Sequence, residues 1–152
     1  MKFADAERRA MELALEEAHR GALEGEVPVG AALLCADQIV ATAHNRPIAL
    51  CDPTAHAEIL ALREAASKLG CYRLVDGVLV VTLEPCVMCV GAILNARLKG
   101  VVFGARDEKA GALGSVFDIG RDGRLNHRIE VRSGLYEEQC AALLREFFRV
   151  RR

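Results

Sequence analysis

No apolar run in this chain approaches the ~20 residues needed to cross a bilayer, so a membrane-spanning helix is not expected. The first twelve residues, Met1 to Glu12, are charged and helical in pattern. They lack the apolar core and small-residue cleavage site of a secretory signal. The chain is therefore expected to be cytoplasmic. It also lacks an excess of charge: 20 Lys and Arg face 21 Asp and Glu, for a net charge of −1. A general nucleic-acid binder would carry a strong positive excess. No internal repeat, linker or low-complexity stretch divides the sequence. With 152 residues, 52% of them hydrophobic, it reads as one globular domain spanning 1–152.

Six cysteines are present, Cys35, Cys51, Cys71, Cys86, Cys89 and Cys140. In a reducing compartment they stay free thiols. The four outside the Cys86–Cys89 pair are expected to be small buried apolar residues. Charge is unevenly spread. Glu12, Glu16, Glu17, Glu24 and Glu26 make the first helix acidic, while eight arginines from Arg121 to Arg152 crowd the last quarter. Taken singly, most of these arginines read as solvated faces. The ending Phe147-Phe148-Arg149-Val150-Arg151-Arg152 joins aromatics to cations, a pairing suited to bases and phosphates; as a helix end, its arginines also complement the dipole.

Apolar residues at helical spacing (Ala6, Ala10, Leu13, Ala14) predict a helix over about 5–24, stopped by Gly25. Val29 to Cys35 predicts a buried strand, and Ala36-Asp37-Gln38 turns it into a partner over Ile39 to Ala43. Asn45 to Thr54, with Pro47 and Pro53, reads as a loop. Further helices are expected from Ala55 to Leu69, closed by Gly70, and after Pro85 as a first-turn proline. Val78 to Leu83, Val101 to Gly104 and Ile129 to Arg132 complete the strands, and Tyr136 to Val150 predicts a last amphipathic helix. Arg106 to Arg128 is Gly-rich and irregular, a length that is commonly functional. Alternating strands and helices predict a layered α/β domain with a mixed sheet.

Two segments carry chemistry. His56-Ala57-Glu58 is followed about thirty positions later by Pro85-Cys86-Val87-Met88-Cys89. Together they match H-x-E and P-C-x-x-C, the zinc-deaminase signature. His56, Cys86 and Cys89 supply three ligands, and no fourth lies close in sequence, so one coordination position stays open for water. Cys86 and Cys89 at i and i+3 share a helix face, and a helix start favours thiolate. Two thiolates balance the charge of Zn²⁺, with His56 bound as neutral imidazole. Ligand softness favours zinc, with iron as the alternative metal. Zinc lowers the pKa of bound water from ~15.7 toward about 7, which makes hydroxide available at neutral pH. Glu58, not a ligand, is expected to shuttle protons from that water to a ring nitrogen and to departing ammonia. Alone, a C-x-x-C could be a redox pair and a His-x-Glu carries nothing; their conjunction makes the signal specific.

The match extends beyond the ligands. Val27-Pro28-Val29-Gly30-Ala31, Asn45-Arg46-Pro47, Asp52-Pro53-Thr54-Ala55-His56-Ala57-Glu58, Leu83-Glu84-Pro85-Cys86-Val87-Met88-Cys89, Val101 to Asp107, Gly114-Ser115, Asn126-His127-Arg128 and the Phe147-Phe148-Arg149 ending cover nearly the whole chain. With these the sequence resembles the bacterial tRNA-specific adenosine deaminases of the cytidine-deaminase superfamily. The resemblance implies a three-layer α/β/α fold with a mixed sheet of about five strands. It implies one Zn²⁺ per subunit and a homodimer binding a tRNA anticodon stem-loop. The implied reaction is hydrolytic deamination of the wobble adenosine to inosine by attack on C6. It further implies that Asn45 hydrogen-bonds the flipped base, that Val27 lines its pocket and that the Ala57 N–H meets the purine edge. Asp107, Asn126 and Phe148 would touch flanking nucleotides. The closest rival reading is a zinc deaminase of a free base or nucleotide, of guanine or cytidine type. A structural zinc or redox module is the rival from another class.

Overall fold

The computed structural model describes residues 2–151; Met1 and Arg152 lie outside the described residues. The elements run α1 (Asp5–Leu23), β1 (Gly30–Cys35), β2 (Gln38–His44), α2 (Pro47–Leu50), α3 (Ala57–Leu69), β3 (Gly77–Leu83), α4 (Val87–Asn95), β4 (Gly100–Ala105), β5 (Glu130–Ser133) and α5 (Glu137–Val150). One sheet orders its five strands β2-β1-β3-β4-β5. β1 is antiparallel to both β2 and β3, whereas β3, β4 and β5 are mutually parallel. The expected mixed α/β sheet of about five strands is thus present.

Strand alternation makes two cores. Leu33, Leu79, Val81, Val101 and Phe103 point to one face, against Ala57, Ala61 and Leu62 of α3 and Val90, Ile93 and Leu94 of α4. Ala32, Leu34, Val80 and Val102 point to the other, against Ala10, Met11 and Ala14 of α1 and Cys140 of α5. The central strands are apolar on both faces because both are covered. The β1–β2 hairpin turns on Ala36 and Asp37, both at positive φ (51° and 61°), the backbone a two-residue primed turn needs.

Four sequence expectations change. Asn45 to Thr54 is not wholly a loop: Pro47 starts the single turn of α2, whose N–H groups at Ile48 and Ala49 donate to the buried Glu26 carboxylate at 3.2 and 2.9 Å. Glu26 therefore lies beyond α1, which ends at Leu23, and is no part of its acidic face. Pro85 is not in the first helical turn; Cys86 is the N-cap of α4, one residue later. Finally, Cys51 and Cys71 are exposed rather than buried, while Cys35 is half-buried and Cys140 buried. Cys51 is itself the left-handed C-cap of α2, and Cys71 follows Gly70, the left-handed C-cap of α3, so both leave the protein at a chain reversal.

Two contacts fix α1 on the sheet. At Gly30, a Cβ would come within 1.8 Å of the Ala14 carbonyl oxygen, so helix and strand touch backbone to backbone. At the start of α1, buried Glu7 accepts the Ala4 N–H at 2.9 Å and pairs with Arg132 of β5, whose Nη1 lies 2.9 Å from Glu7 Oε1. Burial raises the Glu7 pKa, but the Arg132 and Ala4 hydrogen bonds and the arginine charges outweigh it, and the net shift is downward.

Gly30→Ala is expected to cost about 3 kcal/mol or more, since neither backbone can yield without moving α1; urea unfolding would measure it. The Glu7 pair adds a pH dependence. A depressed carboxylate stabilises fully above its unfolded value of 4.5, and that stabilisation is lost as pH falls through the lower folded value. Glu7→Gln should lower stability by about 1–2 kcal/mol at pH 7 and flatten the acid limb of a stability–pH curve below 4.5.

Candidate active site

The site forms where two helices begin at one end of the sheet. His56 is the N-cap of α3 and Cys86 the N-cap of α4, both with extended backbone (ψ 153° and 175°), and Cys89 lies in the first turn of α4. The three donors converge. His56 Nδ1 stands 3.7 Å from Cys86 Sγ and 3.5 Å from Cys89 Sγ. All three donor atoms fall within 4.8 Å of one another, and among the described residues no further His, Cys, Asp or Glu joins the group. A tetrahedral Zn²⁺ with Zn–N near ~2.0 Å and Zn–S near ~2.3 Å sets its nitrogen and sulfur donors about 3.5 Å apart. One imidazole and two sulfurs at this spacing fit that ion.

The electrostatics suit a cation. The Cys86 thiol is drawn down to about 3, first because Cys89 hydrogen-bonds it and then because His56 does. The same contact and burial push Cys89 up. His56 is raised, chiefly by its hydrogen bond to Cys86. The lowered Cys86 thiol favours the thiolate form that a divalent ion requires of its sulfur donors.

Glu58 follows in the first turn of α3 and is buried. Burial lifts its carboxyl to about 7, against the opposing pull of its own backbone N–H and of His56. Placed beside the triad but outside it, this carboxyl can exchange a proton near neutral pH.

Asn45, just past β2, accepts the Ala57 N–H on Oδ1 at 2.7 Å. The two predicted base contacts are therefore brought together, but in this structure they satisfy each other. The Asn45 Nδ2 group remains available as a donor, since Oδ1 takes the helix N–H. Val27, Asp107 and Phe148 line one groove with Leu83, Arg106 and Leu144. Phe148 is 48% exposed, whereas its neighbour Phe147 is buried under the Arg151 guanidinium, 3.6 Å from the ring centre. Asn126 is not at this end. Its neighbour His127 bonds the Leu98 carbonyl at 2.7 Å, before the start of β4, while Cys86 and Cys89 follow the end of the adjacent strand β3. A strand of six residues, about 20 Å, separates the two ends.

Sequence reading missed Glu84. This buried carboxylate accepts N–H groups from Asp107 (3.1 Å), Leu113 (3.0 Å) and Ser115 (3.1 Å), and the Ser115 hydroxyl. It ties the start of the 106–128 segment down beside the His56–Cys86–Cys89 cluster. Its only signal was a carboxylate closing a run of otherwise apolar strand residues, Val78 to Leu83.

The cytidine and deoxycytidylate deaminase zinc-binding region matches residues 4–105 of this chain. The tRNA-specific adenosine deaminase of Haemophilus influenzae is 48% identical over 147 residues, 96% of this chain and 85% of that protein. A structure from work on A-to-I editing by tRNA:A34 deaminases at the wobble position superposes with a TM-score of 0.87 at 43% identity, covering 90% of this chain and 99% of the other. A guanine deaminase from Nitrosomonas europaea superposes less closely, with a TM-score of 0.78 at 29% identity over 97% of this chain and 86% of the other. By the matched region, the identity and the shared fold, the chain belongs to the cytidine and deoxycytidylate deaminase family, on its tRNA-specific adenosine deaminase branch.

Proposed function

We propose that this protein hydrolytically deaminates the wobble adenosine of a tRNA anticodon loop to inosine, releasing ammonia. The observation that carries the chemistry is the His56–Cys86–Cys89 triangle with the buried, non-ligating Glu58 carboxyl beside it. The tRNA substrate rests on the 48% identity to the Haemophilus influenzae enzyme. His56, Cys86 and Cys89 would hold the metal, proposed as one Zn²⁺ per subunit. When bound, that ion supplies Lewis acidity enough to make water a nucleophile at neutral pH. Glu58 takes a proton from the attacking water on its carboxylate, passes it to N1 of the purine as water adds to C6, and delivers a proton to the departing amine. A group poised near pH 7 can do both.

Asn45 holds the base through Nδ2, kept in register by its bond to Ala57. Ala57 would reach the purine edge only by giving up that bond. Val27 packs the base, and Asp107 and Phe148 extend the groove for the flanking nucleotides. A single-stranded loop suits such a groove, because its bases are already partly unstacked. A flanking contact from Asn126 needs a second copy of the chain, which the proposed homodimer supplies. No helix among the described residues is long and apolar enough to cross a membrane, in keeping with a proposed cytoplasmic site of action.

Purified protein incubated with an anticodon stem-loop should yield inosine at the first anticodon position on nucleoside mass analysis, and little ammonia from free guanine or cytidine. Ammonia from free guanine with an unmodified stem-loop would favour the rival. Glu58→Ala should lose activity by about 10²–10⁴-fold yet keep its metal by elemental analysis, whereas Cys86→Ala should lose both.

A further inference from the structure

A second recess opens beside the candidate site, between the 106–121 segment and the edge strand β5. Arg106, Gly114, Asp118, Arg121 and Ser133 line it with Phe103 at its floor, and its walls are more polar than those of the Val27 groove. The two guanidinium groups flank one glycine. A Cβ on Gly114 would stand 3.6 Å from Arg106 Nη1 and 4.0 Å from Arg121 Nη2. Gly114 also has φ +131°, a backbone that a side-chain-bearing residue rarely adopts, so the space between the arginines stays open.

The charges in this recess do not cancel. Asp118 is engaged by Arg121 through Nε at 3.3 Å and Nη2 at 2.7 Å, which leaves Arg121 Nη1 without a hydrogen-bond partner among the described residues. Arg106 makes no hydrogen bond or ion pair among the described residues and lies 6.0 Å over the Phe103 ring. The Ser133 hydroxyl makes no side-chain hydrogen bond among them either. One net positive charge, the unpaired Arg106 fork, the remaining Arg121 Nη1 and a hydroxyl therefore line a concave polar space, a donor set that can recognise a phosphate. Arg121 is paired on exposed surface as other arginines of the last quarter are, and the unpaired Arg106 beside it sets the recess apart. Arg124, Arg145 and Arg149 pair with Asp122, Glu138 and Glu146 on exposed surface.

Position gives the ligand. Arg106 follows the end of β4, whose Ala105 pairs with Leu83, three residues before Cys86. Its side chain borders both the recess and the groove of Val27, Asp107 and Phe148. A strand whose bases occupy that groove carries its backbone past Arg106. We propose that the recess is a phosphate subsite in which Arg106 and Arg121 hold a backbone phosphodiester of the substrate RNA. The inference rests on the deaminase reading above and adds to it a contact that carries affinity without reading bases.

The test is fluorescence anisotropy of a labelled anticodon stem-loop binding to the metal-loaded enzyme across a KCl series. Arg121→Ala and, independently, Arg106→Gln should each weaken binding about tenfold and reduce the slope of log K against log salt by about 0.7–1. The loss should be equal for stem-loops with altered flanking bases, and Arg121→Lys should restore part of the slope. Sodium phosphate at fixed ionic strength forms the second arm. If it occupies the recess while wild type and Arg121→Ala share one salt slope, the site takes free phosphate and the RNA assignment is overturned. Wild type that deaminates the stem-loop while both variants keep its affinity and slope overturns this inference alone. Wild type that neither binds nor deaminates it overturns the function as well.

Discussion

The site exists because α3 and α4 start side by side at one end of the sheet, with their N-caps turned toward each other. Neither N-cap residue is a conventional capping side chain: His56 and Cys86 make no side-chain cap hydrogen bond. At α3 the side chain is free for the cluster because another group, Asn45, takes the helix's first N–H. The Glu84 backbone is tied across to β4 by its N–H to the Ala105 carbonyl at 2.9 Å, which sets where α4 begins. The helix ends thus present their positive partial charge to two sulfurs without spending it on their own caps.

Three buried glutamates near this end show how environment divides one residue type into different roles. Glu26 and Glu84 are 1% and 2% exposed, and Glu58 is 4% exposed, so burial alone does not distinguish them. Glu84 is raised by burial but carried below its ordinary value by the Ser115 hydroxyl and three backbone N–H groups. Glu26 caps the short α2. Both accept backbone N–H groups and so organise loops. Glu58 receives no comparable set of donors, so desolvation wins and its proton affinity climbs. Glu84, which holds the 106–128 segment, is thus kept below its ordinary value, whereas Glu58, beside the His56–Cys86–Cys89 cluster, is lifted to about 7.

Much of the fold was legible, since periodicity reports burial and burial defines the layers. Val29 to Cys35 and Val78 to Leu83 fall within a residue of β1 and β3. The pieces of the His56–Cys86–Cys89 cluster were legible because their spacing is local: His56 beside Glu58, and Cys86 with Cys89. What escaped was non-local. α2 was hidden because Pro47 and Pro53 signal a loop, and the acceptor that makes one helical turn viable is Glu26, more than twenty positions earlier. Glu84 was silent for the same reason, as its donors lie 23 to 31 positions away. Apolar character alone misplaced Cys51 and Cys71, because a thiol at a left-handed reversal is carried outward whatever its hydropathy. Asn126 sat in a stretch that resembles the family, but resemblance along the chain does not say which end of the sheet a loop reaches.

A net charge of −1 and an RNA substrate are compatible once the partners of each cation are known. Arg121, Arg124, Arg132, Arg145 and Arg149 each have a carboxylate partner, so the crowding of arginine in the last quarter creates little long-range field. Pairing by Asp122, Glu138 and Glu146 is surface-exposed and weakly stabilising, and its main consequence is to mute non-specific attraction to polyanions. Arg106, without such a partner among the described residues, stands at the end of β4 beside the groove. A surface of this kind attracts polyanions weakly at a distance. On the proposed reading, discrimination depends on whether a loop can place an unstacked base at Glu58 and its backbone at Arg106 together, a geometric demand that bulk charge could not impose.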